Sequence, residues 1–193
     1  MIPLETVLTV VRAVRRDADV VVTTMASSKV WMDLGPPHPR DFVFVPSCMG
    51  HATSYGLGIA LAQPHRRVIV CNGDGSLLMN LGSLVTIAAQ APRNLTVLVV
   101  DNGVYEVTGA QPLPARADFT QLARASGIDS VHRFSGADEW HDAAPGIVAA
   151  PGPHVVVLDV EPVPGRPAPK SPGNAAARAV ALRAALLEDA EPR

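Results

Sequence analysis

Six short strand-like runs recur along the chain, at residues 20–23, 42–45, 68–71, 95–100, 130–134 and 154–160. Most are continuous β-branched or apolar stretches without polar alternation, as expected of strands buried on both faces of a parallel sheet. Between them the apolar positions fall at helical spacing. Leu4, Val7, Leu8, Val11 and Val14 make an amphipathic helix over 4–16, with Arg12, Arg15 and Arg16 on a solvated face. Further helices are predicted at 53–62, 119–126 and 137–149. Residues 76–90 read as one helix that buries Leu77, Leu78, Leu81, Leu84, Val85 and Ile87 and uses Gly82 for close approach. The alternation predicts an α/β fold: a six-stranded, mostly parallel sheet with helices on both faces.

Proline places the connections. Three prolines within residues 36–39 force a loop. Five between 162 and 172 make a stiff linker, so the expected organisation is a domain over 1–161, a linker over 162–173 and a helical tail over 174–193. The tail, with Val180, Leu182, Leu186 and Leu187, either packs on a partner or is loosely held.

Composition narrows the classes. The chain has 193 residues, 48% of them apolar, enough to bury a full core. A net charge of −2 gives no basic field for nucleic acid or anionic membrane. No apolar run approaches the roughly 18–20 residues of a membrane helix, and the first residues lack the basic start of a signal peptide. Two cysteines, Cys48 and Cys71, form no disulfide framework or metal spacing, which suits a cytoplasmic protein. Asn94-Leu95-Thr96 matches a glycosylation sequon, but it enters a predicted buried strand.

The candidate chemistry sits at two strand ends. The run 68–71 breaks at Gly73-Asp74-Gly75, and the run 95–100 breaks at Asp101-Asn102-Gly103. Both turns fall on the sheet edge where open α/β folds bind ligands. The Asp74 carboxylate, the Asn102 amide oxygen and a backbone carbonyl near Val104 are hard oxygen donors suited to Mg²⁺. Gly75 and Ser76 open a helix whose free N–H groups favour a phosphate. A nicotinamide-binding reading is disfavoured: the third glycine is missing, and an acid at the centre would repel pyrophosphate without a metal.

Gly73-Asp74-Gly75, 25 intervening residues and Asp101-Asn102 resemble the signature of the thiamine diphosphate enzymes, which usually ends in Asn-Asn. Ser47-Cys48-Met49-Gly50-His51-Ala52 is similar to the G-S-M-G-H-A segment of phosphonopyruvate and sulfopyruvate decarboxylases. The stretch from Asn102 to Pro112 is similar to their N-G-x-x-E-S-x-G-G-Q-P. The resemblance covers roughly residues 1–160.

That resemblance implies specific roles. Gly73, Asp74, Gly75, Ser76 and Asn102 would hold a Mg²⁺–diphosphate group, with Asp74, Asn102 and the Val104 carbonyl on the metal. Met49 would wedge between the two cofactor rings, and the Ser47 carbonyl, beside Cys48, would hold the 4′-amino group. Ser27, less directly Ser28, either touches the diphosphate or caps a helix. Tyr105 would pack on the thiazolium side. Glu106 is either a proton-transfer group or a surface carboxylate, and His51 either touches substrate or packs at a helix start. Thr108 and Gln111 are weaker candidates, and Arg116 is the basic residue nearest that loop.

The family's activating glutamate lies on a separate pyrimidine-binding domain, for which this length leaves no room. The expectation is therefore one subunit of a split 2-oxo acid decarboxylase, whose α partner supplies that glutamate, in a heterotetramer or larger. A carboligase subunit like acetolactate synthase, or a non-catalytic regulatory subunit, are the alternatives.

Overall fold

The computed structural model describes residues 1–44 and 49–188. Six strands form one sheet in which every pairing is parallel: β1 (Val20–Thr24), β2 (Asp41–Phe44), β3 (Val68–Gly73), β4 (Leu95–Asp101), β7 (Ser130–Phe134) and β8 (His154–Asp159), in the order β2-β1-β3-β4-β8-β7. Two further strands, β5 (Val104–Tyr105) and β6 (Gln111–Pro112), make a small antiparallel hairpin. Its two-residue arms carry no apolar periodicity, which is why the sequence pattern missed it.

Side chains alternate between the two sheet faces and split the core in two. Val22, Val70, Val97 and Val155 meet α3 (Ala52–Ala62), α5 (Ser83–Gln90) and α6 (Phe119–Ala125). Val21, Ile69, Leu98 and Val156 meet α1 (Leu4–Val14), α2 (Met25–Asp33) and α7 (Ala137–Ala149), with Trp31 and Trp140 fully buried. Gly56 lets α3 lie against β3: a Cβ there would stand 2.2 Å from Val70 Cγ2.

Three expectations need correction. Residues 76–90 are not one helix. A short α4 (Asp74–Leu78) ends before α5 begins, because Asn80 turns its amide onto the Gly50 carbonyl at 2.9 Å and the Ser54 hydroxyl at 3.1 Å. Gly82 meets no neighbour, and Val85 lies on the exposed side of α5. Of the three arginines expected on a solvated face, Arg16 is exposed but Arg12 and Arg15 are not. Arg12 donates to the Trp31 and Pro36 carbonyls, and Arg15 pairs with the buried Asp41 at 2.8 Å. Finally, α8 (Ala175–Leu187) seats Leu182 and Ala185 on this chain's own core. Arg178 bonds the Val43 carbonyl of edge strand β2, and Arg40 bonds the Ala185 carbonyl at 3.2 Å. Asn94 of the sequon is likewise structural, donating to the carbonyls of Ala60, Gln63 and Arg66. No helix among the described residues is long and apolar enough to cross a membrane.

The connection order matters for the site. The chain runs from β1 outward to β2, then returns to β3 on the other side of β1. That reversal opens a crevice beyond the carboxyl ends of β1 and β3, where loops diverge to opposite faces.

Candidate functional site

A cavity of about 450 Å³, counting its open mouth, lies at that crevice. Four stretches line it: Thr24 to Ser27 after β1, Met49, Gly73 to Ser76 after β3, and Asn102 with Val104 to Thr108 after β4. Gly73, Asp74, Gly75, Ser76, Asn102, Val104, Tyr105, Glu106, Ser27 and Met49 are thus brought together. His51 is exposed at the start of α3 and is not part of the lining. Ser47 and Cys48 lie outside the described residues.

Asp74 is the centre. Its Oδ2 accepts the backbone N–H groups of Asn102 at 2.9 Å and Gly103 at 2.6 Å, tying the β3 turn to the β4 turn. Its Oδ1 accepts the Gly75 N–H at 2.6 Å. A carboxylate has about four acceptor positions, so three are taken. No Lys, Arg or His among the described residues pairs with Asp74, although it is only 2% exposed. Burial pushes its carboxyl up to about 6; the Gly103, Gly75 and Asn102 N–H groups oppose that rise, and Asp101 adds to it. A buried anion without a counter-charge is costly, and a divalent cation on its remaining lone pair would remove that cost.

Asn102 stands beside it. Its Oδ1 accepts the Val104 N–H at 3.1 Å, and its Nδ2 donates to Glu106 Oε2 at 2.7 Å. Glu106 is buried, and its other oxygen is ion-paired with Arg166. Both carboxylate oxygens are therefore engaged. Among the described residues no three His, Cys, Asp or Glu side chains converge as a metal cage. One carboxylate and one amide oxygen instead match Mg²⁺, which takes one or two protein carboxylates and fills its octahedron with water and phosphate oxygens.

The opposite wall has its own unmet demand. Thr24 Oγ1 is buried without a hydrogen-bond partner. Met25 follows with φ +55°, a left-handed conformation rare outside glycine and asparagine, as the chain turns from β1 into α2. Ser27 is buried on the lining, whereas Ser28 bonds the Thr23 hydroxyl at 3.1 Å and serves the fold. Ser76 Oγ accepts the Gly50 N–H at 3.0 Å and so fixes the turn that carries Met49. Tyr105 lies over Gly75, where a Cβ would come within 2.6 Å of its ring.

The model of the thiamine pyrophosphate enzyme C-terminal TPP binding domain matches residues 19–158. The chain belongs to this family. It is 44% identical over 149 residues to a phosphonopyruvate decarboxylase of Streptomyces viridochromogenes, covering 76% of this chain and 36% of that one. It is 43% identical over 125 residues to the sulfopyruvate decarboxylase β subunit of Methanothermobacter thermautotrophicus, covering 64% of each. Among solved structures, a thiamine diphosphate-dependent 4-hydroxybenzoylformate decarboxylase from Rhodococcus jostii matches 83% of this chain and 33% of its own, with a TM-score of 0.73 and 20% identity. At that identity the likeness concerns the fold. The chain thus spans about a third of the phosphonopyruvate decarboxylase and about two thirds of the sulfopyruvate decarboxylase subunit.

Within this TPP binding domain, one departure from the family signature has a visible partner. Asp101, where the signature usually has Asn, bonds Arg133 at 3.0 Å, and Arg133 also pairs with Asp159. Burial raises the Asp101 carboxyl, and the Arg133 charge opposes the rise. Arg116 is exposed in the neighbouring groove beyond Gly103, with Asp101, Asp118 and Asp159. Sequence reasoning missed Thr24, Met25 and Arg166. For Thr24 the only signal was a hydroxyl at a strand end, which equally suits a cap. Arg166 had none, being an arginine inside a run read as a linker.

Proposed function

We propose that this chain holds Mg²⁺ and the diphosphate of thiamine diphosphate for a 2-oxo acid decarboxylase of the phosphonopyruvate and sulfopyruvate type. Asp74, Asn102 and the Val104 carbonyl would take the metal. The Ser76 N–H, with the Thr24 and Ser27 hydroxyls, would take the phosphate oxygens, while the Gly75 N–H stays on Asp74 Oδ1. The observation that carries the reading is Asp74, a buried carboxylate with no cationic side chain paired to it among the described residues, placed at the topological switch point beside an amide oxygen. Thr24, whose buried hydroxyl has no hydrogen-bond partner, belongs to the lining of the same cavity and would reach a phosphate oxygen only after a small side-chain rotation. The names of the similar proteins support the reaction class.

When bound, the cofactor supplies a carbon nucleophile for the keto group and an electron sink as carbon dioxide leaves. The chain's own part is positional. Asp74 bridges two turns so that both keep their spacing, Ser76 holds the Met49 turn against the cavity, and Tyr105 covers Gly75. Met49 would enforce a bent cofactor by filling the space between its rings. The activating glutamate would come from a pyrimidine-binding partner subunit in the cytoplasm, the assembly being a heterotetramer or larger.

Calorimetric titration of thiamine diphosphate with Mg²⁺ into the chain, alone and mixed with a candidate pyrimidine-binding subunit, tests the reading. Binding that tightens with the partner and disappears in Asp74→Ala is the expected result. Equal binding by Asp74→Ala would sink it.

A further inference from the structure

The proline-rich stretch after β8 does not leave the domain. The Glu161 N–H bonds the Ile2 carbonyl at 3.2 Å, and a turn closed by the Arg166 N–H on the Val163 carbonyl follows, with Gly165 at φ +77°. That turn sends the Arg166 side chain inward until 8% of it is exposed. Its Nε meets Glu106 Oε1, and its Nη1 meets Glu5 Oε1 at 3.1 Å. The Glu106 side chain is 3% exposed and passes the contact on to Asn102 Nδ2.

We infer that Arg166 is a positioning residue for Asn102, acting through Glu106. The inference rests on the metal–diphosphate reading of Asp74 and Asn102. A carboxamide has two orientations of nearly equal shape, and only one offers oxygen to a cation. Glu106 accepts from Nδ2 and the Val104 N–H donates to Oδ1, so both contacts select the same orientation. A glutamate can only accept in its ionised form, which makes it a stricter selector than a glutamine. Its cost is a second buried anion lining the cavity that holds Asp74. Arg166 supplies the counter-charge and occupies Oε1, which otherwise is free to turn toward the metal or repel the diphosphate. Partners that orient a metal ligand in this way typically contribute about 10–100-fold in metal affinity. Glu106 then holds a ligand in place, and residues 162–173 belong to the site instead of linking it to a tail.

The test titrates Mn²⁺ with thiamine diphosphate into the full chain, reading free Mn²⁺ by electron paramagnetic resonance and bound Mn²⁺ by water-proton relaxation. Arg166→Gln is expected to weaken binding about tenfold. Relaxation per bound Mn²⁺ should rise, because a water replaces the Asn102 oxygen. Arg166→Lys should recover part of the affinity, and Glu5→Gln, which loses only the outer ion pair, should leave both readouts unchanged. Glu106→Gln, with Arg166 intact, should give the same relaxation increase even if Arg166→Gln melts too low to titrate. Wild-type affinity and relaxation in both Arg166→Gln and Glu106→Gln, with binding lost in Asp74→Asn, would overturn the role of Arg166 and leave the site reading standing. Absence of Mn²⁺ binding by the wild-type chain, both alone and with a pyrimidine-binding subunit, would overturn both.

Discussion

Asp19 and Asp74 are buried aspartates at opposite ends of the same sheet, and the protein treats their charges in opposite ways. Asp19 precedes β1 with no side-chain exposure. It accepts from the Arg16 backbone N–H at 2.7 Å, from Arg67 Nε at 3.0 Å and again from Arg67 Nη2. Two arginines answer one carboxylate. Asp74 follows β3, equally hidden, and receives three backbone N–H groups and, among the described residues, no cationic side chain. The Asp19 end has its carboxylate charge answered, although Arg15 Nε there is buried without a partner, and Asn94 donates to the Ala60, Gln63 and Arg66 carbonyls nearby. The Asp74 end carries an unbalanced charge, an orphaned Thr24 hydroxyl and a left-handed Met25. A protein tolerates such unmet demands where a ligand answers them. The contrast in charge balance marks the Asp74 end as the candidate ligand-binding end without reference to any relative.

The comparison breaks most sharply by removing each charge. Asp19→Ala leaves the largely enclosed Arg67 without its counter-charge and is expected to destabilise the chain by about 3 kcal/mol in urea unfolding. Asp74→Asn, measured in chelator, removes a charge that nothing balances and should change stability by less than about 1 kcal/mol, relief of burial offsetting a weakened hydrogen bond. Equal losses would erase the distinction.

A pH series separates the ends next. In chelator, Asp74's folded value of about 6 lies above its ordinary 3.8. The folded chain then binds more protons than the unfolded one between those values, so stability falls as pH rises from about 4 to 6. The full span is on the order of 3 kcal/mol, and Asp74→Asn should flatten it. At the Asp19 end, burial lowers His132 below 6.5, with the His154 and Arg124 charges adding to the effect. There the unfolded chain binds more protons, so stability is lost as pH falls below 6.5. His132→Gln should reduce that loss. Chemical denaturation at half-unit pH steps reads both slopes, and slopes of one sign would contradict the assignment.

The smallest change concerns Gly75. Gly75→Ala drives a Cβ into the Tyr105 ring, but the ring is half-buried and can move. A loss of about 1 kcal/mol is expected, with weaker thiamine diphosphate binding as the larger symptom. Unchanged binding would mean that Tyr105's seat over Gly75 is incidental.

Much of the fold was legible because its rules are local. Continuous β-branched runs bounded by turns identify strands buried on both faces, and helical spacing identifies their covers. Where a side chain at long range decides, the pattern failed. Residues 76–90 kept an apolar period through 79–82, but Asn80 found partners in Gly50 and Ser54 and the helix broke. Arg12 and Arg15 looked like a wet stripe, but carbonyls of α2 and the loop after it, and Asp41 at the start of β2, capture them.

Within the candidate site, Asp74 and Asn102 were marked by their oxygen donors at two strand-end turns on one edge of a parallel sheet and by the likeness of their spacing to the family signature. Sequence could also locate Ser27, Met49, Tyr105 and Glu106 in segments that reach that edge. It could not say that His51 points away, that Ser28 serves Thr23, or that Arg166 folds back from a proline run to neutralise Glu106. The sequence by itself determined the strands, the helices and the two oxygen-bearing turns, since those follow from periodicity and turn chemistry within a few residues. Only the tertiary structure decided which buried charges are answered and which are left open, because a charge's balance depends on whatever side chains the whole chain brings within a few ångströms of it.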